Sequence, residues 1–162
     1  MPNSESHAPA DLPPSAQRTI DELAGHCFGC GPHNPQGLHV HFTISSDDPE
    51  NLSATATVNL TRLHEGAPGF LHGGIIATLL DEAMSKLNRP LNVLAMTRHM
   101  SVDYLRPVPL GVDVTLIGRH LSRSGRKLHH EAELIHPDGT ILARGKALFV
   151  AVDPALLTAA LK

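Results

Sequence analysis

The stretch His72-Gly73-Gly74-Ile75-Ile76-Ala77-Thr78-Leu79-Leu80-Asp81-Glu82-Ala83-Met84-Ser85-Lys86-Leu87-Asn88 decides how the chain folds. At about 100° per residue, Ile75, Ile76, Leu79, Leu80, Ala83, Met84 and Leu87 fall within roughly half of a helical circumference. Gly73 to Asn88 therefore reads as one long helix with a stripe that must face a core. Upstream, Leu38, Val40, Phe42 and Ile44 alternate with His39, His41 and Thr43, the period of a strand with one buried face. Residues 53–60 (SATATVNL) read similarly. Downstream come four segments of β character, 91–105, 112–121, 127–136 and 140–152. Turn signals separate them at Pro107-Val108-Pro109-Leu110-Gly111, Ser124-Gly125 and Pro137-Asp138-Gly139. Their short connections predict an antiparallel meander, and the order strands, helix, strands predicts an α+β fold in which one helix covers one face of a sheet.

The chain has 162 residues, enough for one domain with a real core and too few for two ordinary ones. Residues 1–17, rich in Pro, Ser and Ala, are expected to be a mobile tail, with a single domain over 18–162. Short helical segments are expected at 18–25 and 154–161, and an irregular Gly- and Pro-rich loop at 26–37. A net charge of -3, one Tyr, four Phe and no Trp argue against a nucleic-acid partner, because there is neither a basic excess nor much to stack bases on. No stretch reads as a secretory leader or approaches the roughly 20 apolar residues of a membrane span, so a cytoplasmic protein with no membrane partner is expected.

The His72 to Asp81 segment carries the chemistry. Glycines at a helix start let the backbone approach a ligand, and the first N–H groups there lack intrahelical partners, which suits an oxyanion or a polarised carbonyl. Asp81 falls opposite the apolar arc, beside the small side chains of Ala77, Thr78 and Ser85. Glu82 lies at the arc's edge one turn before Lys86, the orientation of an exposed helix ion pair. Asp81 has no such structural task. The bland alternative is a solvated Asp81, with His72 a mere loop or capping residue. Gly73 and Asp81 are eight residues apart, about 12 Å along a helix. One short side chain cannot bridge that gap to a single carbonyl. If both serve one reaction, they come from different subunits, and the site lies at a dimer interface.

Leu71-His72-Gly73-Gly74, then Leu79-Leu80-Asp81, Thr97 and Asp103-Tyr104-Leu105-Arg106-Pro107 resemble the hotdog-fold thioesterase superfamily, especially its phenylacetic-acid-pathway-like acyl-CoA thioesterases. Cys27-Phe28-Gly29-Cys30-Gly31-Pro32, with Asn34-Pro35 and Gly37-Leu38, is similar to an N-terminal loop of one branch. The resemblance implies an antiparallel sheet wrapped around one long central helix, in dimers that often pair into tetramers, with no cofactor. It implies acyl-CoA hydrolysis to a free acid and coenzyme A. Asp81 would be the catalytic carboxylate, Gly73 the N–H donor to the thioester carbonyl, Thr97 a positioning residue and His72 an orienting one. Gly74 would adjoin the substrate. Arg123, Arg126 and Lys127 sit where relatives often bind coenzyme A phosphates, and Arg and Lys suit phosphate chemically. A basic hairpin turn in water explains that loop equally well.

Further readings stay open. Cys27 and Cys30 with His26 or His33 have workable zinc spacing, but a second ligand pair is missing at a usual distance, so no metal is expected. His39, His41, His129 and His130 show no cluster logic and are expected at the surface. A hotdog dehydratase would use His64 and Glu82, and a non-catalytic acyl-CoA-binding module would use the same fold without turnover. Leu94, Met96 and Met100 could line an acyl tunnel or the core.

Overall fold

The structure, a computed structural model, describes residues 24–46 and 48–156. The expected tail at 1–17 and most of the segments 18–25 and 154–161 lie outside these residues. Helix α1 spans Gly73–Ser85. The strands are β1 (Thr43–Ile44), β2 (Ser53–Val58), β3 (Ala95–Tyr104), β4 (Val114–Ser124), β5 (Lys127–Ile135) and β6 (Ile141–Ala151). All pair antiparallel in one sheet of order β1-β2-β4-β5-β6-β3. α1 lies across it, in contact with β2 through β6. This is the hotdog architecture.

The helical stripe packs as its period requires. Ile76, Leu79, Leu80, Ala83 and Met84 are buried, and Leu116, Leu128, Leu134 and Phe149 meet them from alternate positions of β4, β5 and β6. The approach is closest at Gly118 in β4, where an added Cβ would overlap the Ala83 carbonyl. A glycine mid-strand otherwise weakens a sheet, and here it lets the helix backbone settle onto the sheet.

Three expectations change. The segment 38–44 is a strand only at Thr43–Ile44, because Leu38 and Val40 donate their N–H groups to Phe28 and Gly29 of the preceding loop, and His39 turns the chain at φ 50. The alternation was real, since Val40 is buried and Leu38 and Phe42 pack on the core; it faces the core without joining a ladder. The four downstream segments are not one meander. β4, β5 and β6 are, but β3 pairs with β6 and β4 with β2, so the Pro-rich connection after β3 crosses the sheet instead of turning a hairpin. His130 is fully buried and not at the surface. Its ring nitrogens lie 3.0 Å from Asn88 Oδ1 and 3.1 Å from His120 Nδ1. Burial, with the neighbouring His120 and His129, pushes its pKa down to about 3. His39, His41 and His129 are exposed as expected.

The topology leaves unequal edges. β1 offers two residues at one side, and β3 offers ten at the other with no partner strand beyond it among the described residues. Among the described residues no helix is long and apolar enough to cross a membrane. Gly118→Ala is expected to lower stability by about 1–3 kcal/mol through overpacking against the helix backbone. Urea unfolding checks this: the midpoint should fall at unchanged m, and an unchanged midpoint would contradict the close approach.

Candidate active site

The helix start is built by its own cap. His72 has extended backbone angles (φ -64, ψ 134), and its Nδ1 accepts a hydrogen bond of 2.9 Å from the Gly74 N–H. An accepting Nδ1 carries no proton, so this ring caps the helix start. The cap engages the amide of Gly74 and not that of Gly73. Gly74 therefore does not offer its N–H to a substrate in this arrangement, and its expected binding role is not met through that group. Gly73, the first helical residue, has its carbonyl held by the Tyr104 hydroxyl, which donates at 3.0 Å from the end of β3. A cleft of about 380 Å³ adjoins this point, lined by Phe70, Leu71, Gly73, Ile76 and Tyr104 among others. Tyr104 was visible in the sequence only as a motif letter; its contact with Gly73 depends on β3 crossing to the far edge of the sheet.

Two turns along α1, Asp81 and Thr97 meet. Thr97 Oγ1 donates 2.8 Å to Asp81 Oδ1. Burial pushes the Asp81 pKa up, the Thr97 hydrogen bond opposes the rise, and the charge of Glu82 adds to it. A carboxylate of raised pKa is a stronger base and nucleophile than an ordinary one. α1 is continuous from Gly73 to Ser85, so about 12 Å of rigid helix separates the Gly73 and Asp81 ends.

Glu82 points elsewhere. It forms the expected pair with Lys86 at 2.9 Å, yet its residue is only 8% exposed, and the pair lies under the cysteine loop and not on an open helix surface. Cys27 Sγ donates to Glu82 Oε2 at 3.7 Å. A helical wheel could not show a covering loop more than fifty residues earlier in the chain. In this placement the Glu82 carboxylate is engaged by Lys86 and Cys27. His64 itself passes its carbonyl to the His72 N–H, and its Nδ1 is buried with no partner among the described residues.

The basic hairpin divides. Arg126 donates from Nε and Nη2 to the Ala151 carbonyl at 3.0 and 2.9 Å, which locks the β4–β5 turn onto the end of β6. Arg123 bonds weakly to the Gly125 and Leu91 carbonyls at 3.3 and 3.5 Å. Lys127 is exposed, with no ion-pair partner among the described residues. Register places the hairpin at the Asp81 end: Leu128 pairs with Phe149, and Phe149 with Thr97. Met96 is exposed on the edge strand, while Met100 packs against the core.

The zinc alternative meets a different group. Cys27 Sγ, Cys30 Sγ and a Glu82 oxygen lie within 4.8 Å of one another, and no histidine joins them among the described residues. Lys86 Nζ stands 2.6 Å from Cys30 Sγ and 2.9 Å from Glu82 Oε1, so an ammonium already supplies the positive charge. His26 and His33 instead face each other, ring centroids 6.0 Å apart.

A six-stranded antiparallel sheet on one central helix, with a carboxylate and an open helix start at its two ends, defines a hotdog protein with a candidate hydrolytic site. The family model of the thioesterase superfamily matches residues 68–143, a little under half of the chain. It is 35% identical over 91 residues to acyl-coenzyme A thioesterase THEM4 of Xenopus laevis, a match covering 56% of this chain and 41% of that protein. The chain thus spans less than half the length of that curated relative. A crystal structure of a thioesterase superfamily protein superposes with a TM-score of 0.70 at 28% identity, covering 84% of this chain and 81% of that one. The PaaI protein of the E. coli phenylacetic acid degradation operon shares the fold, with a TM-score of 0.65 at 18% identity over 84% and 92% of the two chains. The matched residues begin after the cysteine loop.

Thr97→Ala removes the contact that opposes the burial effect and should move the Asp81 pKa further up, read by carbon NMR titration of the carboxyl; an unmoved value would mean that Thr97 does not tune it. Asp81 also loads the fold. With a folded-state pKa above the ordinary 3.8, protonation favours folding, and the penalty on the ionised form sets in as pH rises through the raised value. Asp81→Asn should therefore be more stable than the parent at pH 7, and the gain should vanish below pH 3.8, in urea titrations across that range.

Proposed function

We propose that this chain is an acyl-CoA thioesterase acting as a homodimer with two equivalent sites, each taking the Gly73 N–H from one subunit and Asp81 from the other. The observation that carries the reading is the Asp81–Thr97 pair, a half-buried carboxylate of raised basicity held on the central helix of a domain that the thioesterase-superfamily model matches. Its relatives' name, acyl-coenzyme A thioesterase, supports the substrate class. The ten-residue free edge of β3 supports the dimer. Antiparallel pairing of two such edges about a twofold axis near Met100 would bring the Tyr104 and Gly73 end of one subunit beside the Thr97 and Asp81 end of its partner. Further pairing of dimers into a tetramer is compatible with this arrangement. Two free thiols suit the reducing cytoplasm.

In this scheme the Gly73 N–H receives the charge that builds on the thioester oxygen, while Asp81 either takes a proton from the attacking water or attacks the carbonyl itself to give an anhydride that water then opens. In the general-base route water supplies the hydroxyl of the acid. In the anhydride route water opens the anhydride at the Asp81 carbonyl, so an Asp81 oxygen leaves with the acid and the water oxygen stays on Asp81. In both the thiol leaves with a proton. The apolar cleft beside Gly73 takes the acyl part, and Arg123 and Lys127 hold the phosphates of coenzyme A. Arg126, already committed to Ala151, holds the hairpin in shape.

Asp81→Ala should reduce thiol release from acyl-CoA and aryl-CoA esters by at least about 100-fold, a loss typical of removing an essential base or nucleophile, while the dimer persists in light scattering. Retained turnover would overturn the Asp81 assignment, and tight binding without turnover in the parent would make the chain a binding module. Single turnover in oxygen-18 water separates the two routes, since only the anhydride route labels Asp81. Reversing both hairpin charges, Arg123→Glu with Lys127→Glu, should raise KM for acyl-CoA about tenfold or more and leave N-acetylcysteamine thioesters, which lack the phosphates, unaffected; equal effects on both substrates would contradict a phosphate role.

A further inference from the structure

On the face of α1 turned away from Asp81, Cys27, Cys30, Glu82 and Lys86 form a tight group of reactive side chains that hydrolysis does not use. Lys86 Nζ lies 2.6 Å from Cys30 Sγ. An N–H···O hydrogen bond spans about 2.9 Å, and sulfur is the larger acceptor, so an ammonium–thiol hydrogen bond should be longer, not shorter. At this separation a single oxygen atom would join the nitrogen and the sulfur with no movement of either side chain. Glu82 Oε1, 2.9 Å away on the other side, keeps the amine from swinging out. Gly29 brings the loop down on Glu82 so closely that an added Cβ would overlap the carboxylate. A cleft of about 290 Å³, lined by Cys30, Lys86, Val40 and Phe42 among others, opens on the pair and admits a small oxidant.

We propose that Cys30 and Lys86 form a modification site, joined under oxidising conditions by a reductant-reversible N–O–S bridge that ties the Cys27–Gly31 loop to the C-terminal end of α1. With hydrogen peroxide as oxidant the step balances. One thiol, one ammonium and two peroxides give the S–O–N–H bridge, three waters and a proton. The S–H bond and two N–H bonds break, S–O and N–O bonds form, and peroxide is reduced to water. Two equivalents of a dithiol reverse it, returning thiol, amine and one water with two disulfides. The competing product is a Cys27–Cys30 disulfide. Those sulfurs, within 4.8 Å of each other, must still close to about 2.0 Å, whereas Lys86 and Cys30 need no approach. Burial pushes the Cys30 thiol up to about 12, and the thiolate is the reactive form, so the bridge accumulates over prolonged exposure and not in a burst.

The full chain, treated with hydrogen peroxide and read by intact mass and peptide mapping, tests this. One oxygen gained and two hydrogens lost add about 14 Da, and dithiothreitol should remove the increment, with the peptides of Cys30 and Lys86 recovered joined. Cys27→Ser should keep the gain, and Lys86→Arg and Cys30→Ser should lose it. A loss of about 2 Da mapped to Cys27 and Cys30, a gain of about 16 or 32 Da on a cysteine alone, or no change would overturn the proposal. The cross-linked map of the unsubstituted chain decides the matter even if a variant fails to fold.

Discussion

The backbone of α1 rests on β4 where a side chain at Gly118 would otherwise stand, and the other features follow from that contact. A helix held this close cannot roll or slide without clashing with the strand beneath it. Its two ends are then fixed points. The His72 cap holds the start, and Tyr104 grips the Gly73 carbonyl from β3. Asp81 is held from the same strand by Thr97. One strand therefore ties both halves of the candidate site, and it is the strand that forms the open edge of the sheet. The rigid separation of the two helix ends and the open edge beside them come from one geometry.

The helix also separates two chemistries at neighbouring positions. Asp81 faces β3, and Glu82, the next residue, turns under the cysteine loop toward Cys27 and Lys86. The two carboxylates still feel each other, since the charge of Glu82 is one cause of the raised Asp81 pKa. Lys86 offsets that charge locally. The loop thus packs against the same segment of helix that carries the candidate catalytic group, from the opposite side.

The helix was legible because its stripe is local: every residue from Ile75 to Met84 that the period placed inward is in contact with the core or buried in it. Asp81 was legible for the complementary reason, a carboxylate on the other face with no nearby partner to explain it. Long-range contacts were not legible. Leu38 to Phe42 have a strand's alternation, but which backbone pairs with them depends on the loop at Phe28 and Gly29. The exchange of β3 to the far edge turns on the path of a Pro-rich connection, which no period reports. His130 reads as a surface histidine until Asn88 and His120, distant in sequence or on a neighbouring strand, supply its buried partners. Arg126 reads as a phosphate ligand until Ala151 takes its donors.

A mixed dimer tests the shared site most directly. Gly73→Pro removes the one amide in question at a first helical position, where proline is well tolerated, and the extended backbone of His72 before it suits that substitution. Asp81→Asn disables the other half. Each homodimer should be inactive, and purified heterodimers of the two should regain about half the thioesterase activity of the parent dimer, because one of their two sites combines an intact Gly73 amide with an intact Asp81. Heterodimers as inactive as both parents would contradict a site assembled from two subunits.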